Sequence, residues 1–304
     1  MIYFVILIGI LWMYSLYDIL HGTKVDPKDY SVRVLLHSRC EETGAEVYTW
    51  EQVHPLMIHA EFMTHRVMSR NTSSMRAIPT KKILAQVIKY PAYPVFWGKN
   101  QPGMQAKAQL SGLSLVLVKG LWGVARYGMV FAAWILYKLG LHKQLASRLI
   151  HPWAWATVLV TATELDNYLD LRDHPDAQPE IAVVAKKLRK AIAESKPQIL
   201  HVGEWHIPFS EDPQKQIEIQ LQVSAGRCAR VSYNNHNGAR ASESEDIGLA
   251  QKLLASKHMS PLEHQCQALG PGDTALGNLK GWAQYRHHLS VFSNETLDKT
   301  QGPT

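Results

Sequence analysis

Basic and hydroxyl-bearing side chains are concentrated between Glu61 and Pro79, where they are suited to binding a phosphate. Arginine binds phosphate through two parallel hydrogen bonds, and hydroxyls and free backbone amides supply further donors. These residues suit an anion cradle, but a solvated basic helix end, the simpler interpretation, stays open at this point. The segment has no glycine-rich phosphate loop, which argues against a P-loop or Rossmann nucleotide site. The cradle residues are His65, Arg66, Ser69, Arg70, Asn71, Thr72, Ser73, Ser74 and Arg76.

Two more arginines, Arg148 and Arg172, lie in apolar segments that are predicted to be helical. A buried arginine without a partner is costly, so we expect each to meet an anion, either a carboxylate or a ligand. Asp166, Asp170 and Glu180 are the candidate carboxylate partners. These residues alone leave the choice between a ligand and a structural ion pair open.

Two further polar clusters lie toward the C-terminus, Cys228–Tyr233 (CARVSY) and Ser260–His264 (SPLEH). A histidine that follows a glutamate is more often a surface or core residue than a catalytic one. Each cluster by itself therefore predicts little.

Considered together, these clusters resemble the flavin-dependent thymidylate synthase (ThyX) family. The family signature is Arg-His-Arg, seven residues and then Ser. In this chain Thr64-His65-Arg66 is followed by seven residues and Ser74. The wider form of the signature is matched by Ser69, Asn71, Ser74 and Arg76.

Three other family motifs are also present in this chain. One is an Asn-Phe-Leu-x-Leu-Arg segment that leads to Ala-Gln-x-Glu-Ile, and it is similar to Asn167–Arg172 and Ala177–Ile181, with tyrosine in place of Phe. The family's Ala-Arg-Val-Ser-Tyr and Ser-Pro-x-Glu-His motifs match Ala229–Tyr233 and Ser260–His264. The resemblance covers roughly residues 31 to 290.

The sequence departs from the family pattern in two respects. Thr64 stands where the family usually has its leading arginine, and Thr72 stands where it often has glutamate. The order of the motifs is also rotated, because the Ala-Arg-Val-Ser and Ser-Pro-x-Glu-His segments follow the cradle instead of preceding it. This resembles a circularly permuted, phage-type member, and permutation preserves a site when the original termini lie close together.

The resemblance implies an α+β fold and a homotetramer with active sites shared between subunits. It implies reductive methylation of dUMP to dTMP, with 5,10-methylenetetrahydrofolate as carbon donor and NADPH as the source of hydride, carried by FAD. The flavin would supply the chemistry, so no covalent enzyme nucleophile is required. Separately, the three cysteines, which cannot all pair, indicate a reducing compartment, so we expect a cytoplasmic protein.

The matching positions carry implied roles. Arg172 would be the catalytic residue, facing the pyrimidine ring and stabilising charge that develops at N3. The residues implied in contacts with FAD are His65, Arg66, Asn167, Ser260 and His258, the last also near the folate. Those implied for the dUMP phosphate are Ser74, the backbone of Met75, Arg76 and, from a neighbouring subunit, Arg148. Weaker candidates are Ser232, Glu263 and His264.

Hydrophobic patterns predict the elements that position these residues. Strands are expected at Ser31–Ser38, Val47–Trp50 and Arg227–Tyr233. Helices are expected from Pro55 to Met63 and at Thr80–Tyr90, Gly112–Leu141, Leu145–Leu171, Pro179–Ile192 and Asp246–Ala255. Asn71–Ser74 is expected to be a polar break, and Tyr90–Gly103 and Gln198–Pro213 are expected to be loops. The pattern indicates an α+β domain in which helix dominates and a small antiparallel sheet is formed from both ends of the chain.

Two apolar stretches raise the question of a membrane. Residues 1–17 carry no charged side chain. Residues 1–20 could form a short membrane anchor, form a loosely packed extension, or follow from an upstream translation start that is not used. Basic residues follow this stretch, so an inserted anchor would leave the rest of the chain in the cytoplasm. Gly112–Leu141 is interrupted by three basic residues, which favours a buried helix over a membrane span. The expected division is 1–30 extension, 31–295 enzyme domain and 296–304 tail.

The composition excludes some classes of protein and leaves others open. The chain has 304 residues, 46% of them apolar, and a net charge of +6, which excludes a disordered or collagenous chain. The three cysteines have no zinc-type spacing, so we expect neither a disulfide scaffold nor a metal site. The alternatives are an enzyme of this fold acting on another nucleotide, and a non-catalytic flavin or nucleotide-binding protein. A nucleic-acid-binding protein is disfavoured because the arginines form no stripe interleaved with aromatics.

Overall fold

The structure, a computed structural model, describes residues 2–21, 30–231, 241–274 and 277–289, with backbone only for 2–8, 20 and 21. The α-helices are α1 (Ile2–His21), α2 (His59–Phe62), α3 (Thr80–Lys89), α4 (Gly112–Lys138), α5 (Lys143–Ala146), α6 (Asp166–Arg172), α7 (Pro179–Glu194), α8 (Ile217–Ala229) and α9 (Glu243–Ala255). Three 3₁₀ segments are Leu56–Ile58, Ser147–Trp153 and Ser260–Glu263. The strands are β1 (Val32–Cys40), β2 (Glu46–Pro55), β3 (Ser69–Thr72), β4 (Trp155–Ala162), β5 (Gln198–Leu200), β6 (Trp205–His206), β7 (Cys266–Ala268) and β8 (Trp282–Gln284).

A five-stranded sheet in the order β3-β4-β2-β1-β5 forms the centre of the fold. The pairs are antiparallel except for β1 with β5, which is parallel. β1 and β2 form the expected hairpin, and its turn contains Gly44 at a φ of 68°, a conformation that favours glycine. The α+β class predicted from the sequence is confirmed, while the permuted order of motifs stays a prediction.

Helices α6 and α7 cover one face of this sheet. Ile181 and Leu188 of α7 pack with Tyr168 of α6 against Trp50 and Val158 of the central strands. Full burial of such a side chain stabilises the fold by about 1.5–3 kcal/mol. Pro179 occupies the first turn of α7, as its sequence position predicts. This packing fixes the C-terminal end of α6, where Arg172 lies.

The C-terminal part adds a second, three-stranded antiparallel sheet in the order β6-β7-β8. Helices α8 and α9 pack beside it through Leu221, Ala225 and Ala250, together with Leu262 of the 3₁₀ segment Ser260–Glu263. α9 begins with a capping box in which Ser242 and Glu245 satisfy each other's backbone amides. The predicted capped helix is therefore confirmed.

The long helix α4 forms as expected, but the prediction that it is buried is wrong. Its buried residues are restricted to one side, Gly120, Gly123, Arg126, Val130 and Ala133. Much of the rest is exposed apolar surface. Within the described residues, α4 is the one helix that is long and apolar enough to cross a membrane.

The sequence pattern missed several strands, of which β4 and β3 matter most for the site. The segment Leu145–Leu171, expected to be helical, contains the central strand β4, whose buried faces lack the alternation that marks a half-exposed strand. The expected break Asn71–Ser74 overlaps the edge strand β3, in which Ser69 and Asn71 are buried. Because β3 has polar residues on both faces, it lacks the alternation of apolar and polar residues from which a strand is predicted.

Other differences are smaller. The expected strand Arg227–Tyr233 is the end of α8, where Cys228 and Ala229 are buried; Ser232 and Tyr233 lie outside the described residues. The helix expected from Pro55 is only a 3₁₀ segment and the short α2. The expected loop Gln198–Pro213 contains the short strands β5 and β6.

Candidate active site

The structure joins the first two motifs through a direct side-chain contact. Arg172, the last residue of α6, donates from Nε to Nε2 of His65 at 2.9 Å. His65 lies between α2 and β3, and its ring meets that of Tyr168 edge-on, with centroids 4.8 Å apart. The predicted flavin-contacting histidine and the predicted catalytic arginine are therefore neighbours.

His65 is held in its neutral form. Burial, reinforced by the guanidinium groups of Arg172 and Arg70, lowers the pKa of His65 to about 4. Because Nε2 accepts from Arg172, the ring proton resides on Nδ1. Near neutral pH His65 thus orients Arg172 without adding a positive charge.

Arg172 finds its partner in His65 and not in the carboxylates considered from the sequence. Asp170 pairs with Arg189 instead. Glu180 accepts hydrogen bonds from the backbone amide of Val95 and from the side chain of Gln178. Among the described residues, the two terminal nitrogens of Arg172 make no hydrogen bond, so they are open to a ligand.

Arg70 belongs to the cradle segment, but its side chain stabilises the local backbone. Its Nη1 donates to the backbone carbonyls of Phe62, Met63 and His65 at 3.3, 3.2 and 2.8 Å. These carbonyls lie at the end of the short helix α2 and in the residues just after it, where unpaired acceptors are common. Arg70 therefore fixes the backbone that carries His65 and Arg66.

Strand β3 joins the cradle to the two C-terminal motifs. Asn71 donates from Nδ2 to the carbonyl of Cys228 at 2.6 Å, in a buried contact with the end of α8. On the same strand Ser69 accepts a hydrogen bond at 2.7 Å from Gln284, which also donates to the carbonyl of Glu263. All four motifs thus meet around β3 and the end of α6.

The turn after β3 presents the predicted phosphate-binding residues. The hydroxyl oxygen of Ser74 accepts from the backbone amide of Arg76 at 3.3 Å. The side chain of Arg76 is exposed and makes no ion pair within the described residues. Met75 packs into the cluster formed by α3, α4 and the 3₁₀ segment Ser147–Trp153, which anchors the turn.

Arg148 lies in that 3₁₀ segment, not on an α-helix, and it is exposed. The expectation that burial forces it to find an anion is therefore wrong, because solvent can hydrate its charge. Lys143, five residues earlier, donates to the carbonyl of Ala77 at 3.3 Å. This contact brings the α5 region next to the Ser74–Ala77 turn of the same chain.

The remaining predicted cofactor contacts lie at the surface. Asn167 is exposed in the first turn of α6, and His258 is exposed after α9. Ser260 is partly buried at the start of its 3₁₀ segment, which packs against β3. Arg66 is exposed, and within the described part of the chain its guanidinium has no partner.

A cleft of about 1030 Å³ opens beside Arg172. Glu61 and Gln178 line it together with Lys107, Gln105 and Trp122, among other residues. The sequence analysis assigned no role to Lys107, Gln105 or Trp122. Lys107 and Gln105 follow the loop Tyr90–Gly103. The proline and glycine content of this segment predicts a loop, but it does not predict which residues the loop contacts in the fold.

The weaker candidates have structural partners. Glu263 forms an ion pair with Arg286. The ring of His264 is fully buried and bonds through Nδ1 to the hydroxyl of Thr161 at 2.9 Å. That hydroxyl continues through Thr49 to His206, at 2.7 and 2.8 Å, so the polar chain links the two sheets. Burial lowers the pKa of His264 and of His206 to about 3.

The cysteines are free and buried. Burial raises the pKa of Cys228 to about 12 and also raises that of Cys266. A thiolate nucleophile is therefore disfavoured at these positions. No group of three or more potential ligand side chains able to hold a metal ion occurs among the described residues.

The donor set fits an anionic dinucleotide such as FAD. Arg66 and Arg76 offer exposed guanidinium groups that have no partner among the residues described, and Asn167 and Ser260 offer short hydrogen-bonding side chains. Such groups bind phosphate and ribose oxygens. The cleft beside Arg172 has ample volume for a nucleotide ring system.

No family model matches the chain, and no curated protein matches it. Solved structures with a similar fold include the UMP/dUMP methylase PolB from Streptomyces cacaoi bound with 5-Br dUMP, at 15% identity over 54% of this chain and 90% of that one, with a TM-score of 0.43. The same methylase bound with 5-Br UMP matches at 16% identity, over 57% and 91%, with a TM-score of 0.45. Flavin-dependent thymidylate synthase ThyX from Helicobacter pylori, complexed with FAD and dUMP, matches at 16% identity, over 48% and 67%, with a TM-score of 0.35. The family that the motifs resemble is thus represented among these structures, but TM-scores below 0.5 transfer no activity to this chain.

Proposed function

We propose that the protein is a flavin-dependent thymidylate synthase that methylates dUMP to dTMP. The observation that carries the proposal is the contact between His65 and Arg172, which joins two separate family motifs at the edge of a large cleft. The contact of Asn71 with the carbonyl of Cys228 extends the convergence to the third motif. Motifs that are far apart in sequence and meet in one place are expected of a shared active site.

Arg172 performs the central task in this proposal. His65 holds Nε, so the guanidinium plane is fixed and the two terminal nitrogens remain for the pyrimidine ring. A permanently charged, preorganised donor stabilises negative charge that develops on N3, which makes C5 of the ring more nucleophilic. The neutral His65 adds no competing positive charge.

The other residues bind and orient. Ser74, the Met75 backbone and Arg76 hold the dUMP phosphate, with Arg148 contributed by a neighbouring subunit of a homotetramer. His65, Arg66, Asn167, Ser260 and His258 hold FAD. The flavin, when bound, carries hydride from NADPH, and 5,10-methylenetetrahydrofolate donates the carbon.

The proposed catalytic domain comprises residues 31–295 and lies in the cytoplasm, preceded by the apolar segment 1–30 and followed by a tail, 296–304. Residues 290–304 are outside the described residues. The rotated order of motifs is proposed to reflect a circular permutation.

Thr64 favours a second candidate function. It replaces the leading arginine of the family signature, and its hydroxyl donates to the carbonyl of Glu61 at 2.7 Å. The position therefore supplies no charge to a bound flavin or nucleotide. This would suit an enzyme of the same fold that acts on another nucleotide, or a non-catalytic flavin or nucleotide-binding protein.

A binding experiment separates these functions. The purified full-length protein is titrated with FAD, and then the FAD-loaded protein is titrated with dUMP, UMP and dCMP. The proposal predicts a flavin absorption spectrum and a preference for dUMP. Tight binding of a different nucleotide favours the second candidate. The absence of flavin binding contradicts the first, and the absence of both flavin and nucleotide binding contradicts both.

A further inference from the structure

Helices α1 and α4 pack against each other in parallel, through very small residues. Trp12 and Ser15 of α1 lie over Gly120 and Gly123 of α4. A Cβ atom on Gly123 would come within 2.1 Å of the Ser15 hydroxyl, and one on Gly120 within 2.9 Å of the Trp12 ring. The Ser15 hydroxyl donates to the carbonyl of Gly120 at 2.8 Å. Close contacts of this kind are typical of helices that pair in an apolar medium.

The charged groups inside this pair neutralise each other. The fully buried Arg126 forms an ion pair with Asp18, and the hydroxyl of Tyr127 donates to the same carboxylate at 2.8 Å. The Arg126 guanidinium also lies over the rings of Tyr127 and Tyr93, 4.2 and 5.6 Å from their centroids. The pair therefore presents neither of these charges to its surroundings.

The same side of α4 is anchored to the domain further along the helix. Val130 and Ala133 belong to the cluster of α3 and the 3₁₀ segment Ser147–Trp153. The ring of Trp122 meets those of Trp97 and Trp153 edge-on, with centroids 5.9 and 5.7 Å apart. The pair is thus fixed to the domain, and its remaining surface is turned outward.

This outward surface, which we call the α1–α4 face, is apolar along its length. Leu113 and Leu121 of α4 are 72% and 61% exposed, and Met13 of α1 is 71% exposed. The other large apolar side chains exposed there are Ile10, Tyr14, Leu16, Tyr17, Val116, Leu117, Met129, Phe131 and Trp134. Continuous exposed apolar surface of this kind marks an interaction site.

The distribution of charge around α4 indicates which kind of partner binds the α1–α4 face. Between Glu61 and Glu164 the sequence contains 13 lysines and arginines and no acidic residue. This stretch includes α4 and the adjoining α3, on which Lys81, Lys82 and Lys89 are exposed. Like charges would repel a second copy of the same surface, whereas an anionic surface is attracted, at about 1 kcal/mol for each basic residue near it.

We propose that the α1–α4 face, together with the lysines of α3, docks the protein on an anionic lipid bilayer. The helices lie along the bilayer surface and do not span it. Two successive spans of one chain run antiparallel unless the chain between them crosses back. Here the helices are parallel, and residues 30–111 between them form β1–β3, α2 and α3 of the domain. This inference does not depend on the proposed catalytic function.

Vesicle flotation tests the apolar part of the proposal. Full-length protein is mixed with vesicles of phosphatidylcholine alone or with 30% phosphatidylglycerol, and we expect it to float with the anionic vesicles. Leu117→Gln/Leu121→Gln should weaken this binding by at least about tenfold, since the variant loses two exposed leucines that would be buried in the bilayer. The matched control is Leu254→Gln, an exposed leucine of α9, which should bind like the wild type.

A second pair of variants tests the electrostatic part. Lys81→Gln/Lys82→Gln should weaken binding to the anionic vesicles by roughly 5- to 30-fold, with little change on phosphatidylcholine alone. Lys186→Gln/Lys187→Gln, an equally exposed pair on α7, serves as the control and should bind normally. Both lysine pairs are at the surface, so the variants are expected to fold.

Three outcomes would overturn the proposal. One is failure of the folded wild type to float with anionic vesicles. The second is a change of oligomeric state in Leu117→Gln/Leu121→Gln without any change in flotation, which would assign the face to a second copy of the chain. The third is binding of duplex DNA through Lys81 and Lys82 in the absence of anionic lipid binding.

Discussion

In the part of the chain that the structure describes, the guanidinium of Arg172 is held at one nitrogen and open at the other two. His65 accepts its Nε hydrogen at 2.9 Å, and the cleft lies beside it. A side chain in this state is oriented before a ligand arrives, so binding energy is not used to orient it. This is the arrangement expected of a group that acts on developing charge.

Replacement of Arg172 should therefore affect turnover more than folding. Arg172→Ala should lower turnover by about 10²–10³, the usual loss for one preorganised donor. Arg172→Lys should recover little, because a point charge cannot donate to His65 and to the ring in the same plane. Steady-state kinetics, with circular dichroism as the folding control, test this. Retention by Arg172→Ala of more than about a tenth of wild-type turnover would contradict the assigned role.

Arg66 tests the flavin site with little risk to the fold, because its side chain is exposed. Loss of one charge-assisted contact costs about 1.5–3 kcal/mol, so Arg66→Ala should weaken FAD binding by roughly 10- to 150-fold. Quenching of flavin fluorescence measures the affinity. Arg33→Ala removes an exposed arginine of β1 and should bind FAD normally. Equal affinities in the two variants would remove Arg66 from the site.

Motif spacing predicted which residues to examine but not how they are held. His65 and Arg172 were both identified, and their mutual hydrogen bond was not, because 107 residues separate them. The structural position of Arg70 was also hidden, since its partners are backbone carbonyls that every residue possesses. Sequence composition shows which side chains carry charge, but tertiary contacts decide which charges remain free.

At the level of elements, β3 connects the cradle to the C-terminal motifs. Asn71→Ala would leave the buried carbonyl of Cys228 without its 2.6 Å donor. The expected loss is about 1–3 kcal/mol in the free energy of unfolding, with weaker FAD binding as a consequence. Urea denaturation measures the loss. Gln251→Ala, at an exposed position of α9, is the control, and an equal effect of the two substitutions would contradict the structural role.

Elements with a clear period were predicted from sequence, and those without one were not. α3 and α7 each place apolar residues on one side, and both were found where expected. The strand β4 is covered on both faces, so its apolar run resembled a buried helix. α4 was placed correctly, but its exposure could not be predicted. An apolar helix has the same sequence pattern whether it packs against protein or against lipid.

At the scale of the whole molecule, Arg76 and Arg148 test the proposed sharing of active sites. Both are exposed, and neither has an ion-pair partner within the described residues. If two subunits supply them to one phosphate, mixed oligomers of inactive Arg76→Ala and inactive Arg148→Ala should regain some activity, because some interfaces combine both intact residues. Each variant re-assembled with itself is the control. No recovery after confirmed subunit exchange would place both residues within one chain or make Arg148 structural.

Stability should fall in acid because of the polar chain between the two sheets. His206 and His264 have folded-state pKa values lowered to about 3, below the ordinary value of 6.5 that applies in the unfolded chain. Their contribution is fully present above pH 6.5 and is lost as the pH falls toward 3, since only the unfolded chain binds protons in that window. The slope is roughly 1 kcal/mol per pH unit for each histidine.

Urea denaturation at several pH values between 7.5 and 4.5 measures this slope. His264→Gln keeps a hydrogen-bonding side chain but does not titrate, so its slope should be shallower than that of the wild type. Identical slopes would show that His264 does not remain neutral in the folded protein.

Release of tritium from 5-tritiated dUMP tests the central claim most directly, because C5 must lose its proton when it is methylated. The full-length protein, loaded with FAD, is supplied with 5,10-methylenetetrahydrofolate and NADPH, and Arg172→Ala serves as the matched control. We predict release of tritium to water with formation of dTMP by the wild type, and a rate lower by about 10²–10³ in the variant. Absence of tritium release from a wild-type protein that demonstrably binds FAD and dUMP would contradict the proposed function.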